Sequence, residues 1–80
     1  MELRASVQIK NGHYNDWKIF YDSYQEIRHR YVTNETVEMI STKEAEVCFV
    51  VTDFEGLTNL SKSQFVQDGE KRLGVEVTFI

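Results

Sequence analysis

The side chains whose type and spacing could support chemistry gather between His13 and Tyr24. His13 and Tyr14 stand in a loop, Trp17 follows within a turn of helix, and Tyr24 lies two turns further on. An imidazole titrates near neutrality and can serve as acid, base or metal ligand. An indole and a phenol beside it would supply the apolar walls and few polar anchors of a small-ligand site. His13, Trp17 and Tyr24 are therefore the candidate ligand-binding residues, with His13 the proton acceptor of any reaction. The plainer reading makes Trp17 and Tyr24 core and His13 solvated, because an aromatic stripe at helical spacing normally faces the interior.

Other reactive groups are sparser. Cys48 could be nucleophilic if Arg4 or a histidine stabilised its thiolate; on an apolar strand it reads more simply as a small hydrophobe. Arg4 with Glu38 or Glu76 could hold a carboxylate or exchange protons, although charge pairing across a sheet or between subunits explains them as well. Tyr21, Tyr24 and Tyr31 could line a pocket between helix and sheet, and His29 suits the negative end of a helix dipole. The chain has no phosphate-binding glycine loop, HExxH, CxxC or nucleophile elbow. Its two histidines and one cysteine are at least sixteen residues apart, so neither a metal nor a cofactor is expected.

Composition narrows the class. Eighty residues make one domain, 1–80, which on folding hides only roughly 60% of its surface and gains from a partner. A hydrophobic content of 41% with 12% aromatic residues supports a packed core. The net charge of −4 and pI near 5.0 argue against nucleic acid. No apolar run approaches the ~20 residues of a membrane span. A lone cysteine suits a reducing cytoplasm, and Met1 to Arg4 already alternate like a strand, which leaves no signal peptide.

The elements that must position these residues follow from periodicity. Val47, Cys48, Phe49, Val50 and Val51 form the longest apolar run, a central strand. Leu3, Ala5, Val7 and Ile9 alternate with polar residues as a half-buried strand that Asn11-Gly12 ends. From Asn15, with Asn11 or Asn15 as cap, one helix is predicted, its inner stripe being Trp17, Phe20, Tyr21, Tyr24, Ile27 and Tyr31. Thr33-Asn34-Glu35 turns the chain into a strand over Thr36–Ser41, which Thr42-Lys43-Glu44 joins to the central run as a hairpin. Asp53 can cap a short helix carrying Phe54, Leu57 and Leu60. Ser61-Lys62-Ser63 interrupts it, and Ser63 can cap a second segment with Phe65, Val66 and Leu73, closed by Gly74. Val75, Val77 and Phe79 make the last strand.

This β-α-β-β-α-β order is the ferredoxin-like pattern, an α+β fold: a four-stranded antiparallel sheet with two helices on one face. Leu3, Ala5, Val7, Ile9, Val37, Met39, Val47, Phe49, Val51, Val75, Val77 and Phe79 face the helices. The opposite face mixes Arg4, Glu38 and Glu76 with Ile40, Cys48 and Val50, and these six are the candidate dimer-interface residues. The alternative is an open face with a few tolerated apolar side chains.

The strand order, the aromatic helix at Trp17-Lys-Ile-Phe-Tyr, the stretch Val-Val-Thr-Asp-Phe-Glu-Gly-Leu and the closing Leu-Gly-Val-Glu-Val together resemble the dimeric α+β-barrel superfamily. The likeness is greatest to its short ferredoxin-like members from marine bacteria. It implies a homodimer whose two sheets meet face to face. The superfamily includes cofactor-free monooxygenases, haem-degrading enzymes, lactone isomerases and stress-responsive proteins, so fold leaves function open. Two readings result: a homodimer that binds a small apolar or aromatic molecule, with monooxygenase-like chemistry as one form of it, or a purely structural dimer with no ligand site. A cavity of at least ~300 Å³ would separate them.

Overall fold

The computed structural model describes Met1–Ile80. Its elements are β1 (Glu2–Ile9), α1 (Tyr14–Ser23), α2 (Gln25–Arg28), β2 (Val32–Ser41), β3 (Glu44–Val51), α3 (Phe54–Ser61), α4 (Gln64–Leu73) and β4 (Val75–Phe79). The strands form one antiparallel sheet in the order β2-β3-β1-β4, the ferredoxin-like arrangement with β1 and β3 central. Ala5 pairs with both Val47 and Phe79, and Val7 with both Ala45 and Val77, so these residues stand in rows on one face. Trp17, Phe20, Tyr21, Val66 and Leu73 cover that face and bury Val7, Ile9, Ala45 and Val47.

Each helical region is a pair of helices. Ser63 divides α3 from α4, as expected, and its hydroxyl accepts from the Val66 N–H; the Asp53 carboxylate caps α3 at the Gly56 N–H. Gly74 ends α4 in the left-handed region at φ 62°. Gly69, an unfavourable residue inside a helix, is explained by contact: a Cβ there would overlap the Phe20 ring. The glycine lets α4 lie directly against α1.

The first helix departs from expectation in three ways. It begins at Tyr14 with His13, not an asparagine, in the capping position, where the His13 N–H donates to the Asp16 carboxylate at 2.9 Å. It also breaks at Tyr24. The Ser23 hydroxyl donates to the Phe20 carbonyl and the Arg28 guanidinium to the Tyr21 carbonyl. Side chains thus take carbonyls that a continuous helix would give to backbone N–H groups. Ile27, assigned to the inner stripe, is 45% exposed, while Arg28 is 2% exposed.

Thr33-Asn34-Glu35 is not a turn. β2 already begins at Val32, and the segment is a bulge in which one extra residue separates Thr33, opposite Val50, from Thr36, opposite Cys48. Asn34 takes φ 54°, which asparagine tolerates better than most side chains. The bulge turns Glu35 toward the helices. At the margins of the sheet, Met39, Val77 and Phe79 remain exposed although their rows face the helices; the helix layer is too narrow to cover the edge strands.

On the other face Arg4 pairs with Glu46 at 3.2 Å, and Glu76 with Lys10 at 2.6 Å. The expected Arg4 pairing with Glu38 or Glu76 within the sheet does not form, because Glu46 lies nearer along β3. Glu38 stands directly opposite Glu46. Cys48 and Val50 are half-buried, and Ile40 is exposed. No helix is long and apolar enough to cross a membrane.

Candidate functional site

The break at Tyr24 brings a buried charge into the helix–sheet interior. Arg28 donates from Nε to Glu35 Oε2 at 2.6 Å and from Nη2 to Oε1 at 3.0 Å, a two-point ion pair with side chains 3% and 9% exposed. Tyr21 donates its hydroxyl to the same carboxylate at 2.7 Å, and His29 meets it from the solvent side at 3.0 Å. The guanidinium lies over the Tyr21 ring, 3.5 Å from its centroid, and Tyr21 stacks in turn on Trp17 at 4.7 Å. Every fully buried side-chain nitrogen and oxygen has a hydrogen-bond partner.

The electrostatics follow from that packing. Burial by itself would raise the Glu35 carboxyl, but hydrogen bonds from Arg28, His29 and Tyr21, with the charge of Arg28, outweigh it and hold it at about 2. Burial pushes Tyr24 up to about 12, against the pull of Arg28 and with the help of Glu70 and Glu35. Tyr21 is raised too, mainly by burial. Glu70 is raised by burial alone, with no charge or hydrogen bond to offset it.

Beside this cluster, between the helices and the sheet, lies a cavity of about 430 Å³, and twelve of its seventeen lining residues are apolar. Phe49 and Val47 on the sheet and Leu57 and Leu60 on α3 form its walls; Tyr24, Arg28, Gln67 and Glu70 form a polar end. The lining residues Ser61, Lys62, Val77 and Phe79 are exposed and mark its mouth. A larger groove of about 640 Å³ on the outer side of α1 and α4 has four apolar residues among its ten lining residues, and charged Asp16, Asp68 and Arg72 stand along it. It resembles solvated surface more than a ligand site.

Of the three expected ligand residues, the structure brings two together. Trp17 and Tyr24 line the 430 Å³ cavity, Trp17 being 2% exposed and so also core. His13 lines neither cavity, and its side chain is 67% exposed. The loop before α1 is pinned to the β2–β3 hairpin by Tyr14 N–H to the Thr42 carbonyl and by the Lys43 ammonium to the Gly12 carbonyl, both at 2.6 Å. His13 therefore stands at the N-terminal cap of α1, outside the cavity that Trp17 and Tyr24 line. Glu70 on α4 lines the cavity. Cys48 lies on the opposite face of the sheet, remote from the cavity. Arg28, Glu35 and Glu70 were missed, yet two of them carried a signal. Position 28 continues the stripe 17, 21, 24 at spacings of four and three, and position 70 sits between 66 and 73 in the same way.

No protein-family model matches the chain, and no curated protein matches it by sequence. Solved structures do match over its whole length. SnoaB, a cofactor-independent oxygenase from Streptomyces nogalater, superposes with a TM-score of 0.65 at 10% identity, covering 99% of this chain and 88% of that one. The likeness is one of fold. An antibiotic biosynthesis monooxygenase gives 0.56 at 8% identity, covering 100% and 96%. Rv0793 from Mycobacterium tuberculosis gives 0.51 at 9% identity, covering 100% and 93%. The ferredoxin-like arrangement is thus shared with monooxygenase-type proteins, whereas side-chain equivalence is not implied at these identities.

Proposed function

We propose that this domain binds a small, largely apolar or ring-bearing molecule in the cavity between its helices and sheet, and that it acts as a homodimer. The observation that carries the reading is the cavity: its volume of about 430 Å³ falls within the ~300–1,000 Å³ of small-ligand sites, and apolar walls converge on a few polar groups as such sites require. Trp17 and Tyr24 contribute to binding; Arg28, locked to Glu35, shapes the polar end. The homodimer rests on the uncovered sheet face, where half-buried Cys48 and Val50 lie among Arg4, Glu38 and Glu76. Native mass spectrometry of protein purified from cells tests both parts, since it reports subunit number and any retained molecule together. A monomer at micromolar concentration ends the dimer reading. Unmoved Trp17 emission across a panel of aromatic and acyl compounds ends the ligand reading and leaves a structural role.

A second reading makes the bound molecule a substrate for oxidation by dioxygen without a cofactor. It is favoured by the fold shared along the whole chain with proteins named as oxygenases. Oxygen uptake in the presence of a compound that quenches Trp17 tests it, and binding without uptake refutes it.

A further inference from the structure

The polar end of the cavity contains one charged group that the protein leaves without a partner. Arg28 is engaged by Glu35 from β2 and by the Tyr21 carbonyl. Tyr24, at the break between α1 and α2, keeps its hydroxyl proton up to about pH 12. Lys62, after α3, is exposed at the mouth, and Gln67 on α4 is neutral. The sheet floor, Ala5, Val7, Val47, Phe49, Val77 and Phe79, is apolar. Glu70 is left, a half-buried carboxyl with neither ion pair nor hydrogen bond, and burial is the single influence on its proton. A poorly solvated carboxylate gains most from a hydrogen-bond donor and loses most from a second anion.

We infer that Glu70 sets the specificity of the cavity: its carboxylate accepts a hydrogen bond from a ligand O–H or N–H, so the site selects ring-bearing molecules that carry a donor and turns away carboxylates. This rests on the cavity being a ligand site. Donor ligands bind more tightly as pH rises through the Glu70 titration, because the ionised carboxyl is the stronger acceptor; anionic ligands weaken over the same range.

Isothermal titration calorimetry of the full chain between pH 5 and 8, with 2-naphthol, 2-methoxynaphthalene and 2-naphthoate as probes, tests the assignment. The expected result at the upper end is 2-naphthol binding about tenfold tighter than 2-methoxynaphthalene, with 2-naphthoate weakest. Glu70→Gln keeps the side chain's size and removes its charge, so it flattens the pH profile and admits 2-naphthoate. Glu70→Leu erases the preference for naphthol over its methyl ether. An unchanged pH profile in Glu70→Gln, or 2-naphthoate outbinding 2-naphthol in the wild type, overturns the assignment. Tight binding of 2-methoxynaphthalene with no donor preference overturns the Glu70 role alone. No binding of any probe overturns the cavity reading and the Glu70 role together.

Discussion

Replacing Glu35 by glutamine strands the Arg28 guanidinium, 2% exposed, without its counter-charge. Removing one member of a buried, hydrogen-bonded ion pair costs about 3–5 kcal/mol, because the remaining charge stays desolvated. The depressed carboxyl leads to a similar figure. A shift from an ordinary 4.5 to about 2 corresponds to roughly 3–4 kcal/mol at ~1.4 kcal/mol per unit. An 80-residue domain has a total stability of only about 4–12 kcal/mol, so Glu35→Gln should bring it close to unfolding at 25 °C. Urea denaturation at pH 7, followed through Trp17 emission, measures the loss. The double variant Arg28→Met/Glu35→Leu should regain only part of it, since an apolar pair needs no desolvation but leaves the Tyr21 hydroxyl and carbonyl without their partners. The pH dependence has a fixed sign. Glu35 is lowered on folding, so its contribution is complete above about pH 4.5 and is lost as pH falls toward 2. The difference in stability between wild type and Glu35→Gln should shrink over that interval. A loss below 1 kcal/mol at pH 7, or a difference that does not change with acid, would refute the buried-pair argument.

Three further outcomes are expected. Phe20→Ala, at a side chain 6% exposed, should cost ~3–5 kcal/mol in urea denaturation, and an unchanged midpoint would mean that the inner face of α1 is wrongly drawn. Gly69→Ala should destabilise despite a helix-propensity gain of up to ~1 kcal/mol, because the new methyl overlaps Phe20 and overpacking costs ~1–3 kcal/mol; a higher thermal midpoint would contradict the contact. Val50→Arg should convert the proposed homodimer to monomer in sedimentation, since it buries an unpaired charge at a cost of several kcal/mol, and a variant that sediments as a dimer excludes this face as the interface.

Strands and caps were legible because each rests on a local rule. Alternation marked β1 and β4, the run Val47 to Val51 marked β3, and Asp53, Ser63 and Gly74 stand where helix ends need an acceptor or a left-handed residue. What stayed hidden depends on contacts between distant segments. The continuous aromatic stripe from Trp17 gave no notice of a break at Tyr24. That break needs the Tyr21 carbonyl to accept from Arg28, which needs Glu35 delivered inward by the β2 bulge. Asn34 is the one local sign of that bulge, and Thr33-Asn34-Glu35 reads equally well as a turn. The place of His13 was hidden too: its type suggests chemistry, while the bonds to Thr42 and from Lys43 that fix its loop outside the cavity join residues about thirty positions apart.

A general consequence concerns charges that fall on apolar stripes. Arg28 and Glu70 both occupy inward positions of amphipathic helices, where a charge is costly unless something compensates it. The structure supplies compensation for one, through the Glu35 carboxylate, the Tyr21 ring and the Tyr21 carbonyl. For the other it supplies only a cavity. The first arrangement stiffens the wall, because Arg28 ties α1, α2 and β2 together at the polar end. The second leaves an acceptor beside that stiff wall. A compensated charge and an uncompensated one thus play different parts in the same pocket, the first fixing its shape and the second standing as the acceptor that the proposed ligand would satisfy.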